Sequence, residues 1–254
     1  MDENIEKKGD TGSVSPSKGI LSWLENFWYH YKWHSIVALF LIFTITICSV
    51  QMCSKEKYDA HILYSGSYEI ERTSKDGNFA EYETFLSSFK RAAGDYDGDE
   101  KISLSLKDLF IISNEEIEEI KKNDPDVEIN RSLLMENQTI LSETLVFSDY
   151  YVCLLSPYVY DEYKVIDGVE MFSPLSKYVK DGTSVEFYTD TAIYLSSTGF
   201  YSLPGICNLP EDTLICLRSI SAIANHFNEK EAKEARERSI DVITNMINYS
   251  ANRQ

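Results

Sequence analysis

Basic charge is scarce in this chain: 24 Lys and Arg stand against 41 Asp and Glu, for a formal net charge of −17. So acidic a protein repels nucleic acid and anionic lipid headgroups, and no nucleic-acid partner is expected. Histidine is scarcer still, with four in all and only His61 and His226 beyond residue 54. There is no G-x-S-x-G elbow, H-E-x-x-H pair, Walker loop or Cys-x-x-Cys, and acidic pairs are too abundant here to mark a glycosidase. The expectation is a protein that is not an enzyme and requires no cofactor. Of five cysteines, Cys48 and Cys53 fall in an apolar run, leaving Cys153, Cys207 and Cys216. An odd count is no disulfide framework; Cys153, inside YYVCLLS, reads as a small core residue, while Cys207 and Cys216 can pair only if a turn brings them together. No repeat of fixed period is present.

The longest stretch free of Asp, Glu, Lys and Arg is WHSIVALFLIFTITICSVQMCS, residues 33–54. Its apolar centre, Ile36 to Cys53, spans about 27 Å as a helix, close to the roughly 30 Å hydrocarbon core of a bilayer. A cleaved signal would need a small-residue site after the run, and a lipoprotein a small residue before the modified cysteine. Cys48 follows Ile47 and Cys53 follows Met52, so neither pattern fits. Trp23, Trp28, Tyr29, Tyr31 and Trp33 crowd the N-terminal approach, where aromatic rings favour the headgroup layer and Lys32 can reach water. The sequence thus divides into a short tail with an aromatic juxtamembrane segment (1–34), a transmembrane helix (35–53) and an acidic domain (54–254). Lys18 and Lys32 before the span balance Lys55, Lys57 and Arg72 after it, so the positive-inside rule leaves orientation open.

The domain is long enough to bury a full core without disulfides. Tyr58 to Tyr64 reads as a strand ending at Ser65-Gly66-Ser67, and a helix is expected from Asn78 with Phe79, Tyr82, Phe85, Leu86 and Phe89 along one face. Residues 101–112 alternate and then turn apolar, as in a strand entering the interior. Helices are expected at 114–122 and 131–147, and Tyr150 to Leu155 is the best candidate for a central buried strand. Short helical or irregular pieces follow at 158–163 and 173–179, then strands at 185–188, 192–195 and 213–218. The chain closes in a helix capped by Asn228, with Ile240, Ile243 and Ile247 on one side. Strands alternating with helices give an α/β domain with a mixed sheet.

Two places could carry chemistry. Asp95-Tyr96-Asp97-Gly98-Asp99-Glu100-Lys101-Ile102-Ser103 places carboxylates at alternate positions, as at the start of an EF-hand calcium loop. Its expected ligands for Ca2+ are Asp95, Asp97, Asp99 and the Lys101 carbonyl. Glu100 stands where that loop needs Gly, and Leu106 where a bidentate Glu belongs, so a solvated Asp-Gly turn is the competing reading. The second place is the mouth beyond the first and central strands, formed by Tyr64, Ser65, Gly66, Ser67 and Ser156, since open α/β sheets bind ligands past the carboxyl ends of their strands. Ordinary turn chemistry explains the same residues. Ser196 to Tyr201 could add hydroxyls and an aromatic wall.

Tyr29-x-Tyr31-Lys32-Trp33-His34 before the span, the strand after it, and Leu209-Pro210-Glu211-Asp212-Thr213-Leu214-Ile215-Cys216-Leu217-Arg218 resemble a group of uncharacterised single-pass membrane proteins of anaerobic Gram-positive bacteria. The resemblance spans most of residues 25–250. It implies a reduced type-2 periplasmic-binding-protein-like, or extracellular solute-binding-like, domain, with the N-terminus inside and the C-terminal domain extracytoplasmic at the cell membrane. The implied function is capture or sensing of a small-molecule or peptide ligand. Because 200 residues is short for two complete lobes, the alternative is a scaffold or interaction subunit of a membrane complex whose pocket has degenerated.

Overall fold

The computed structural model describes residues 16–53, 58–70, 80–221 and 229–250. The expected caps at Asn78 and Asn228, and His226, lie outside the described residues. The chain divides into two units, residues 1–56 and 57–254.

The first unit is a helix, α1 (Pro16–Cys53, 38 residues), about 57 Å long. It begins well before the expected boundary at residue 35, since no proline interrupts the chain between Pro16 and the apolar run. Phe27–Ser49 is long and apolar enough to cross a membrane. Three hydroxyls in this stretch are satisfied by the helix itself: Thr44 donates to the Phe40 carbonyl at 2.9 Å, Thr46 to Ile42 at 2.7 Å and Ser49 to Ile45 at 2.8 Å. No hydroxyl donor is therefore left unpaired at these three positions. On the N-terminal approach, the ring of Phe27 stacks on those of Trp23 (5.6 Å) and Tyr31 (5.3 Å), the i, i+4 spacing of one helix face.

In the second unit, β1 (Ala60–Gly66), β2 (Leu104–Phe110) and β3 (Val152–Leu155) are parallel, with β1 in the middle. Strand β9 (Leu214–Arg218) lies antiparallel to β3. Its other edge is shared by β8 (Ala192–Tyr194) and the short β6 (Phe172–Ser173), and β7 (Phe187–Thr189) pairs with β8. The result is a mixed seven-stranded sheet of order β2-β1-β3-β9-β8-β7, as the alternation of strands and helices predicts. A separate two-stranded hairpin, β4 (Val165–Ile166) and β5 (Val169–Glu170), turns at Asp167 and Gly168, both at positive φ.

Both faces of the sheet are covered, so its central strands carry apolar side chains on both sides. On one face Ile62, Tyr64, Leu154 and Ile215 pack with Phe85 and Phe89 of α2 (Ala80–Phe89) and with Val242, Ile243 and Met246 of α6 (Glu229–Ile247). On the other, Leu63, Cys153, Leu155 and Cys216 meet Leu141 and Leu145 of α4 (Arg131–Phe147) and Val159 of α5 (Pro157–Tyr163). Each Leu, Ile, Val, Phe or Met among them contributes about 1.5–3 kcal/mol on burial. Helix starts are chemically marked. Ser113 and Glu116 form a capping box on α3 (Asn114–Asn123), the Asn130 side chain caps α4, and Ser156 caps α5 ahead of Pro157. Arg218, at the end of β9, is fully buried; its guanidinium donates to the carbonyls of Leu145 (2.7 Å), Ser148 and Tyr150 (3.1 Å) at the C-terminal end of α4.

Candidate functional site

The acidic loop joins the end of α2 to β2. Gly98 (φ 77°) and Glu100 (φ 65°) both take the left-handed conformation, so Glu100 adopts the backbone that an EF-hand loop assigns to Gly. Asp95 accepts from the Gly98 amide (2.7 Å) and the Glu100 amide (2.9 Å), Asp97 from Asp99 (3.2 Å), and Asp99 from Lys101 (2.9 Å). Asp59, at the head of β1, joins the loop from outside its sequence pattern. This buried carboxylate accepts from the amides of Tyr96 (2.7 Å) and Ser103 (2.8 Å), while the Asp59 amide donates to the Ser103 carbonyl (2.8 Å). Asp59 thereby clasps the loop near both ends. Oxygens of Asp59, Asp95 and Asp97 lie within 4.8 Å of one another, a group that could hold a hard cation. Asp99 is not part of that group; its carboxylate instead accepts the hydrogen bond from the Lys101 amide.

At the carboxyl ends of β1 and β3, the mouth residues come together as packing. Tyr64, Ser65 and Gly66 are buried, Ser156 is half-buried, and only Ser67 is exposed. The Tyr64 hydroxyl accepts from the Tyr68 amide at 3.2 Å, and burial pushes its pKa up. The Ser156 hydroxyl accepts from the Val159 amide, and the Ser156 amide donates to the Ser65 carbonyl at 2.9 Å. A Cβ added at Gly66 would come within 2.9 Å of the Tyr64 hydroxyl and 3.3 Å of Ser156 Cβ. Gly66→Ala is therefore expected to cost about 1–3 kcal/mol of stability, read from the urea midpoint. An unchanged midpoint would mean that the mouth has room.

The loop around Ser196 to Tyr201 is occupied as well. Ser196 donates to the Glu211 carbonyl (2.6 Å), Ser197 to Tyr194 (2.7 Å) and Thr198 to Leu195 (2.7 Å), while Phe200 is buried against Phe89 and Tyr249. His61 is half-buried between the rings of Tyr58 and Tyr150, and desolvation lowers its pKa. Cys207 and Cys216 do not pair: Cys207 is exposed and Cys216 is buried in the sheet. An apolar groove of about 160 Å³ runs beside the β4–β5 hairpin, lined by Val146, Ile166, Val169, Met171 and Ile220. Its neighbours Phe147 and Val165 are 64% and 49% exposed.

Comparison with protein-family models, curated proteins and solved structures finds no match for this chain.

Proposed function

We propose that this chain is a single-pass membrane protein whose α/β domain stands outside the cell and acts as a non-enzymatic interaction subunit of a membrane complex. The observation that carries this choice over solute capture is the packing at the strand ends, where Tyr64, Gly66 and Ser156 fill the space a solute would need. The anchor is supported by the apolar Phe27–Ser49 segment and the internally bonded hydroxyls of Thr44, Thr46 and Ser49. An interaction role is supported by exposed apolar side chains around the groove at the β4–β5 hairpin. A second reading is favoured by the convergence of Asp59, Asp95 and Asp97: calcium bound at the acidic loop, stiffening the junction between α2 and β2.

Thermal melting of the full chain in detergent tests both readings. Sugars and short peptides are expected to leave the melting temperature within about 1 °C, since only a ligand of the folded state raises it. A saturable rise with either would restore solute capture. Millimolar calcium is expected to raise it by about 3–6 °C for an affinity near 10⁻⁴ M, with magnesium doing less. Asp97→Ala should abolish the rise, whereas Asp99→Ala should retain most of it. Equal rises in wild type and Asp97→Ala would place the ion elsewhere on this acidic surface.

A further inference from the structure

Cys153 in β3 and Cys216 in β9 stand directly opposite each other in the antiparallel register. Both are fully buried in the apolar layer shared with α4 and α5, and both are free thiols. The Arg218 amide donates to the Tyr151 carbonyl at 2.9 Å, which makes Tyr151 and Arg218 a hydrogen-bonded pair of the ladder. Two positions along each strand, Cys153 and Cys216 form the next pair of the same kind. Such opposed residues have Cα atoms about 5.5 Å apart and Cβ atoms about 4.5–5.5 Å apart. A disulfide accepts Cα separations of roughly 4.4–6.8 Å but wants Cβ atoms at about 3.5–4.5 Å. Backbone spacing of that kind suits a bridge, and the Cβ atoms of such a pair must close by about 1 Å.

We propose that Cys153 and Cys216 are a latent disulfide site, joined across β3 and β9 when a thiol–disulfide oxidant reaches them, in a strained and readily reduced bridge. The thiolate of one cysteine attacks the oxidant's disulfide, forming a mixed disulfide and releasing one oxidant thiol. The second cysteine's thiolate then displaces the other oxidant thiol and closes the bridge. Together the two cysteines lose two electrons and two protons, and the oxidant is reduced to two thiols. In the closed sheet burial pushes Cys153 up to about 12 and raises Cys216 as well, so little thiolate is available there. Exchange thus belongs to moments when β3 and β9 are open, during folding or transient unfolding. The bridge would fasten the parallel half of the sheet to its antiparallel half at their shared boundary. It draws only on the register inside the domain, so it holds on whichever side of the membrane the domain lies.

The test is long incubation of the full chain in detergent with oxidised glutathione, just below its melting temperature, followed by alkylation, digestion and mass spectrometry. The expected product is a linked peptide pair containing Cys153 and Cys216, with alkylation of these two cysteines lost and regained on reduction. Cys207→Ser, a surface change, should leave the yield unaltered. Full alkylation of Cys153 and Cys216 after unfolding, glutathione left on either cysteine without closure, or a bridge from either to Cys207 would each overturn the proposal.

Discussion

Replacing Arg218 with methionine is expected to remove about 3–5 kcal/mol of the domain's stability, a large part of the 5–15 kcal/mol that holds a typical domain together. The last carbonyls of a helix have no partner within it, and α4 ends where the chain turns into the buried strand β3. Arg218 supplies the donors: one guanidinium reaches the carbonyls of Leu145, Ser148 and Tyr150, and its Cζ lies 4.3 Å from the centre of the Tyr151 ring. Its positive charge also sits at the negative end of the α4 dipole. Methionine fills much of the volume but leaves buried carbonyls without donors. Arg218→Lys keeps the charge but not the planar fork, so it should recover only part of the loss. Urea unfolding followed by near-ultraviolet circular dichroism measures the effect, and a loss below about 1 kcal/mol for methionine would contradict this account of how α4 is closed.

Arg218 also marks what the sequence could and could not reveal. Apolar runs and periodicity located it in a strand, and the same signals place α4 over 131–147 and β3 within Tyr150 to Leu155. What a side chain does across the fold is not periodic. Arg218 meets residues 68 to 73 positions away, and Asp59 clasps residues 37 and 44 positions on, so neither role is written in local pattern. Some features are local enough to be written in the sequence. Ser113 and Glu116 have capping-box spacing, and Asp167-Gly168 between apolar residues is a hairpin signal. At the strand ends, the general rule for α/β sheets located the mouth, but whether Tyr64 lines it or fills it depends on one rotamer and on the backbone at Gly66. The acidic loop was legible as a turn of convergent carboxylates because Asx chemistry is local. Its third group member, Asp59 in place of Asp99, was not.

A surface-exposed interaction subunit requires a membrane anchor and a domain on the outer side of the membrane. Cys207 gives direct access to both, because it is the exposed cysteine of the domain, whereas Cys153 and Cys216 are closed to reagents until the sheet opens. A charged maleimide that does not cross membranes should label Cys207 in intact cells, identified by peptide mapping. Cys207→Ser should remove that labelled peptide, and the labelled chain should sediment with membranes after alkaline extraction. Labelling of Cys207 only after the cells are permeabilised, or release of the chain by alkali, would contradict a single-span protein with its α/β domain outside the cell.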